Sequence, residues 1–408
     1  MLDALNSTWR YCTRAGWAGW DPYDALAASN PAARILKTSR FGRLALTQLL
    51  KRSPVNLRPL LRVPATCNAK SLALGILATC RCKNLAGLDP SPLVEGPELV
   101  TRLLDASIET KHGFGWGFPF EYEVRAFRFP LDTPTVVITA IVVRALHEAL
   151  CNLQLAPDTA RKCREAIDGA AEFVLHDLQR IVDQDGLCFS YSPLDRSRVV
   201  NATLFAAEIL ARATSVRGSQ VGVEEIASTV KWSWARQTEL GGWPYGDASH
   251  HQWQDSFHTG FNLLSLDAVR RLVEPVVAGS EQLVPIERWR RAYQYYLSTF
   301  VEPSGRVRYY AHQPWPEDSH ALAVALLLLR LAREHDPNAE RNLSCVFQWG
   351  IRRLWDPRGR FIDFRTRFFS TSVPYLRWSQ AWMLYALAYC VSADDPCVGT
   401  QVPTSARS

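Results

Sequence analysis

Apolar residues recur along this chain in one repeating order: a short turn mixing glycine with aromatics, a polar gap, then a helix-length stretch of Ala, Leu and Val. The turns are Gly115-Trp116-Gly117-Phe118, Gly186-Leu187-Cys188-Phe189, Gly242-Trp243-Pro244-Tyr245, Gly305 to Tyr309 and Gly359 to Phe364, with a looser version at Gly16 to Trp20. The apolar stretches begin near Asn68, Thr133, Asn201, Ser256, Ser319 and Trp378, at intervals of 65, 68, 55, 63 and 59 residues. A period of this size marks a repeat architecture. Asn, Thr or Ser opens five of the six stretches, as an N-cap should, and Pro134 suits a first helical turn. Each stretch is apolar over more than one face, which predicts a helix buried all round. Between them lie segments with one polar face: part of 91–110, then 158–181, 224–237, 286–300 and 340–354. These predict outer helices.

One inner and one outer helix per unit makes a helical hairpin. Six units with every inner helix buried close most simply into a ring, an all-α (α/α)6 toroid. An open solenoid is the alternative, but it needs polar end caps, and the last inner stretch is as apolar as the others. The glycine–aromatic turns predict small β-hairpins over one mouth. Residues 1–393 then form one toroid domain, with a disordered tail at 394–408.

Composition narrows the class. The chain has 408 residues, 47% hydrophobic and 21% charged, a globular balance. The longest apolar run, Ala321 to Ala332, is too short to span a bilayer and is broken by Arg330. The start, Met1 to Arg10, lacks a signal-peptide pattern, so a cytoplasmic protein is expected. The formal charge is +6, and the basic residues read as scattered, which argues against nucleic acid as a partner. Ten cysteines are spread out, with Cys80 and Cys82 the one close pair. They read as reduced, buried thiols rather than a zinc or redox motif. Neither a metal nor a cofactor is expected. Tryptophan and tyrosine are plentiful, and Trp17, Trp20, Trp116 and Trp243 follow glycines in turns, where aromatics line a concave site or cap a bundle.

In a toroid the starts of the inner helices face one mouth, so polar residues there converge and backbone N–H groups favour anions. The second unit brings Trp116, Glu121, Arg125 and Asp132. Glu121 and Asp132 are candidate acid–base carboxylates, with a plain helix-terminal role as the alternative for Asp132. The fourth unit is densest, with Trp243, Tyr245, His251, Asp255 and His258. There His258 is the candidate general acid or base, oriented by Asp255. The spacing of His251, Asp255 and His258 also admits a metal if the helix reaches back that far. The fifth unit offers Asp318 and His320; the sixth offers Arg377, Trp378 and Gln380. The catalytic set is therefore His258, Asp255, Asp132, Glu121 and His320. The substrate-binding set is Trp116, Arg125, Trp243, Tyr245, Asp318, Arg377, Trp378 and Gln380. Histidines, carboxylates, an arginine and many aromatics suit a sugar or oligosaccharide. A terpenoid-cyclase-like enzyme fits the aromatics but lacks D-x-D-D and D-D-x-x-D. A non-catalytic glycan-binding protein is a third possibility.

The strings GWDPYDAL (19–26), NAKSLAL (68–74), GWGFPF (115–120), GGWPYG (241–246), DSFHTGF (255–261), DSHALA (318–323) and YLRWSQAWM (375–383) run along nearly the whole chain. This ordered set resembles the bacterial polysaccharide biosynthesis proteins of the VpsJ type. The resemblance implies a six-hairpin glycosidase-like or terpenoid cyclase-like toroid, and a place in exopolysaccharide or other surface polysaccharide synthesis.

Overall fold

The computed structural model describes residues 1–123, 128–218, 222–277, 282–371 and 373–392. Helix α1 (Leu2–Arg14) is followed by three short helices, α2 (Pro31–Leu36), α3 (Arg40–Arg52) and α4 (Arg58–Leu61). Then come α5 (Ala69–Cys82), α6 (Pro92–Asp105), α7 (Val136–Asn152), α8 (Pro157–Glu172), α9 (Val200–Arg217) and α10 (Val223–Ala235). The series ends with α11 (Ser256–Val273), α12 (Ile286–Phe300), α13 (Ser319–Leu331), α14 (Ala339–Leu354) and α15 (Ala381–Val391).

Helices α5, α7, α9, α11, α13 and α15 each pack on the next, and α15 returns to α5. That last contact closes the ring and excludes the open solenoid. Burial follows the all-round apolar pattern: every residue from Val136 to Leu150 of α7 is buried, and so is all of α13. Five outer helices, α6, α8, α10, α12 and α14, each cover the inner helix before them. The sixth outer helix is α1, which packs on α15 from the other end of the chain. It buries Ala4, Leu5, Thr8, Trp9 and Cys12, a single stripe at helical spacing. The sequence reading assigned no outer partner to the last inner helix, because that partner lies more than 350 residues away in the chain.

The hairpins form in part. Arg180–Asp183 pairs with Gly186–Phe189, Trp355–Asp356 with Arg360–Phe361, and Ile108–Glu109 with Phe114–Gly115. At Gly242 and Gly305 the turns keep only single bridges, Val199 to Gly246 and Val301 to Val307. Helices α2 to α4 form an excursion between two short paired strands, Ala18–Gly19 and Thr66–Cys67. Its small core of Ala25, Ala28, Ala33, Leu46, Leu50 and Val63 is separate from the main one. Buried Arg58 ties it down, pairing with Asp24 at 2.8 Å.

The C-terminal half of the ring is plugged by charge. Glu208 of α9 accepts from Arg144 of α7 at 2.6 Å, from Arg212 at 3.0 Å and from Ser265 of α11 at 2.9 Å. Arg81 of α5 reaches Glu148 of α7 at 2.7 Å. The nine described cysteines are free thiols. Among the described residues no helix is long and apolar enough to cross a membrane. The tail expected at 394–408 lies outside the described residues.

Candidate functional site

The inner helices are fastened at their N-terminal ends by the loop of the following unit. The amide of Val136 donates to the carbonyl of Tyr191 (3.0 Å), that of Val200 to Tyr245 (3.0 Å), that of Ser256 to Tyr309 (3.0 Å) and that of Ser319 to Asp363 (2.9 Å). Each bond satisfies an orphan helix-terminal amide and hangs the side chain of the loop residue over the mouth. Three helices add a side-chain cap: Asn68 to the amide of Lys70 (2.9 Å), Asp255 to that of His258 (2.8 Å) and Asp318 to that of Ala321 (2.8 Å). Two caps fall one residue before the expected Ser256 and Ser319, since a carboxylate is a stronger acceptor at a positive helix end.

Inside this ring lies a cavity of about 440 Å³. Tyr23, Tyr122, Tyr191, Tyr245, Tyr309 and Tyr310 line it with Phe118, Phe257, Phe261, Trp253 and Trp378. Its polar lining is Lys51, Lys70, Asn201, His250, His251, Asp255, His258, His320 and Arg377. Asp255 is therefore the one carboxylate among the described lining residues. It is fully engaged: it caps α11, meets Nδ1 of His258 at 2.6 Å and accepts from the Trp253 indole at 3.2 Å. Nδ1 of His258 is thereby fixed, while Nε2 has no protein partner among the described residues.

His258 rests on Phe257, with ring centroids 4.1 Å apart, and on Tyr245 at 4.7 Å. His320 lies against the same phenylalanine at 5.0 Å and against Trp378 at 4.5 Å. Both ring nitrogens of His320 lack a protein partner among the described residues. Burial, then the neighbouring basic groups Lys70, Arg377 and His258, hold its pKa well below the usual histidine range, so it is neutral. Tyr245 stacks on Trp253, with centroids 4.6 Å apart and planes 14° apart, at a wall suited to a flat sugar face. Behind Trp378, burial pushes Asp318 up to about 7. Burial and the charge of Asp318 drive Asp363 well above the carboxylate range. Both carboxyls are thereby biased toward their protonated form.

Of the residues chosen from sequence, Asp255, His258, His320, Tyr245, Arg377 and Trp378 line this cavity. Arg377, expected to bind substrate, instead forks onto buried Asp21. Asp318 lies just behind the wall. The rest must be corrected. Glu121 is half-buried and paired with Arg128, away from the cavity lining. Asp132 is exposed in a turn at φ 59°, so it neither caps nor enters the cavity. Trp116 and Trp243 are core residues, donating to the carbonyls of Leu103 (2.9 Å) and Ser233 (2.9 Å). Gln380 is buried and brackets the backbone of Phe361 at 2.9 and 2.7 Å. Arg125 lies outside the described residues. His251, Asp255 and His258 do not gather as metal ligands, and no group of three such residues does among the described residues.

The turn aromatics divide by position. The tryptophan directly after glycine packs inward, whereas the tyrosine or aspartate three to five residues past the turn glycine reaches the mouth. Tyr191, Tyr245, Tyr309 and Asp363 share that place, a signal visible in the repeat but not used. Trp243→Ala should accordingly unfold more readily, by about 3–5 kcal/mol in denaturant titrations. The same truncation at Tyr245 should cost less stability and more ligand affinity.

No protein-family model and no curated protein matches the chain. Solved structures do. A sugar epimerase from a ruminal bacterium superposes with TM-score 0.59 at 11% identity, over 79% of this chain and 87% of that one. Cellobiose 2-epimerase from Bacillus thermoamylovorans gives 0.60 at 10% identity, over 80% and 90%. D-mannose isomerase gives 0.57 at 9% identity, over 79% and 85%. At such identities the likeness establishes the toroid fold and nothing finer.

Proposed function

We propose that this protein is a carbohydrate-active enzyme that moves a proton at a sugar carbon, as an epimerase or lyase, in bacterial surface polysaccharide synthesis or modification. The observation that carries the reading is the His258–Asp255 pair, opening Nε2 of His258 onto an aromatic cavity opposite a neutral His320. A base fixed through Nδ1 accepts a proton at Nε2, and its carboxylate partner stabilises the imidazolium that forms. For inversion, neutral His320 takes the proton from the carbon and the His258 imidazolium, held by Asp255, gives one back; in the reverse direction the roles exchange. Inversion at a carbon beside a carbonyl needs such a pair.

Hydrolysis by two carboxylates fits less well. That chemistry needs a pair flanking the glycosidic bond, and the lining offers Asp255 alone, already bound. A terpenoid cyclase calls for an almost wholly apolar chamber, whereas Lys51, Lys70 and Arg377 face this one. The similar structures named as sugar epimerases and an isomerase support the proton-transfer reading, and the VpsJ-type resemblance supports the polysaccharide setting.

The test is proton exchange. Candidate reducing sugars, including cellobiose, mannose and a uronate, are incubated with the enzyme in D2O. Deuterium should enter at the carbon beside the carbonyl, and His320→Ala should slow its entry by about 10²-fold or more. Cleavage of a glycosidic bond with neither deuterium uptake nor a new C=C bond in the product would exclude this mechanism. Tight binding of oligosaccharides with no exchange in any sugar would favour a glycan-binding protein.

A further inference from the structure

We propose that the substrate carries a carboxylate or phosphate, and that Lys70 seats this anionic group. The inference rests on the carbohydrate reading above and names its substrate class. Lys70 stands in the first turn of α5, where the helix end is positive, and lines the cavity while only 6% exposed. Among the described residues its ammonium has no hydrogen bond or ion pair. Every other buried cation of the mouth has one: Arg377 holds Asp21, Arg58 holds Asp24, and Lys51 donates to the Tyr23 hydroxyl. The one lining carboxylate is committed to His258 and Trp253. Among the described residues no carboxylate touches Lys70; Asp21 acts on it only from a distance and is spent on Arg377, and an unpaired buried charge is costly. Burial and the nearby Arg377 push its pKa well below the usual lysine range, which favours the neutral amine in the empty site. An anionic ligand favours the charged form again, so binding should be accompanied by proton uptake.

Calorimetry with D-glucuronate, glucose 6-phosphate and D-glucose, each in HEPES and in Tris at the same pH, tests this. At least one anionic sugar should bind tenfold or more tighter than glucose. Its apparent enthalpy should differ between buffers by an amount matching proton uptake, and which anion wins separates carboxylate from phosphate. Lys70→Met should remove both effects. Lys70→Arg, always charged, should keep the preference and lose the uptake. Equal binding of all three without uptake overturns the anionic class and leaves the carbohydrate reading standing. Binding of none of the three removes both.

A separate observation concerns the excursion α2–α4. From Ala25 to Leu88 the chain has no acidic residue, while Arg34, Lys37, Arg40, Arg43, Lys51, Arg52, Arg58 and Arg62 crowd into the excursion. The excursion is thus richer in basic residues than the rest of the chain, with Arg58 and Lys51 paired inside it. Helix α3 buries Gly42, Leu46 and Leu50, yet turns a second apolar stripe, Phe41, Ala45 and Leu49, to solvent. Phe41 is 84% exposed, Leu60 74% and Ile35 72%. Arg34, Arg52 and Arg62 are exposed with no protein partner among the described residues. We infer that this face docks on an anionic lipid bilayer, the surface that takes apolar side chains and diffuse positive charge together.

Co-sedimentation with phosphatidylcholine vesicles, with and without 25% phosphatidylglycerol, tests it. Binding should be at least fivefold greater with the anionic lipid and should fall in 0.5 M salt. Phe41→Ser with Leu60→Ser should abolish it without changing the melting curve, as should Arg34→Glu with Arg52→Glu. Binding independent of lipid charge, or no binding, overturns the inference. A dimer dispersed by the serine variants would instead assign the face to a second copy.

Discussion

His258→Ala lowers the rate of deuterium entry into substrate by about 10²–10⁴-fold while the far-UV circular dichroism and melting curve stay close to those of the parent. The imidazole lies on the cavity wall with its side chain 23% exposed, so truncation leaves a larger pocket rather than a sealed void. Asp255→Asn should fall in the same range for a different reason. The amide still offers an oxygen to cap α11, but it no longer stabilises the imidazolium at Nδ1. A variant pair in which Asp255→Asn is inert and His258→Ala retains full exchange would remove the dyad from the mechanism. Loss of the folded state in His258→Ala would make the histidine structural instead.

Glu208→Ala is the second large effect, on stability. Glu208 is fully buried and is shared by Arg144, Arg212 and Ser265 from three adjacent inner helices. Its removal strands two guanidinium groups in the middle of the ring, at a cost of about 3–5 kcal/mol. The pH behaviour follows from the same contacts. Burial raises the pKa of Glu208, but Arg144 and Arg212 pull it down further, to about 2, from an ordinary 4.5. A depressed carboxyl stabilises the fold above its unfolded pKa. That contribution is lost as pH falls from about 4.5 toward 2. Urea titrations at pH 7 and pH 3 should show the parent losing stability in acid, and Glu208→Gln losing less. Equal midpoints for parent and Glu208→Ala at pH 7 would show that the network does not hold the ring.

The inner helices were legible because burial on every side leaves no polar face: Val136 to Leu150 could be placed from hydropathy alone. Their starts were legible to within about three residues, since capping chemistry is local. The site was legible mainly where it coincided with those starts, as at His258, His320 and Arg377. It was misread in the turns. Trp243 and Tyr245 stand two residues apart, yet one packs into the core and the other faces the cavity, and alternation alone does not say which.

Local pattern by itself determined the number of inner helices, their spacing and the mouth toward which they point, because amphipathic period and cap residues act within a few turns of chain. Tertiary structure alone decided that α1 completes the ring against α15, that Asp21 neutralises Arg377, and that Lys70 is left with no carboxylate in contact among the described residues. Those outcomes depend on which groups meet across hundreds of residues once water is expelled, and burial turns such pairings, or their absence, into the strongest electrostatic terms in the molecule.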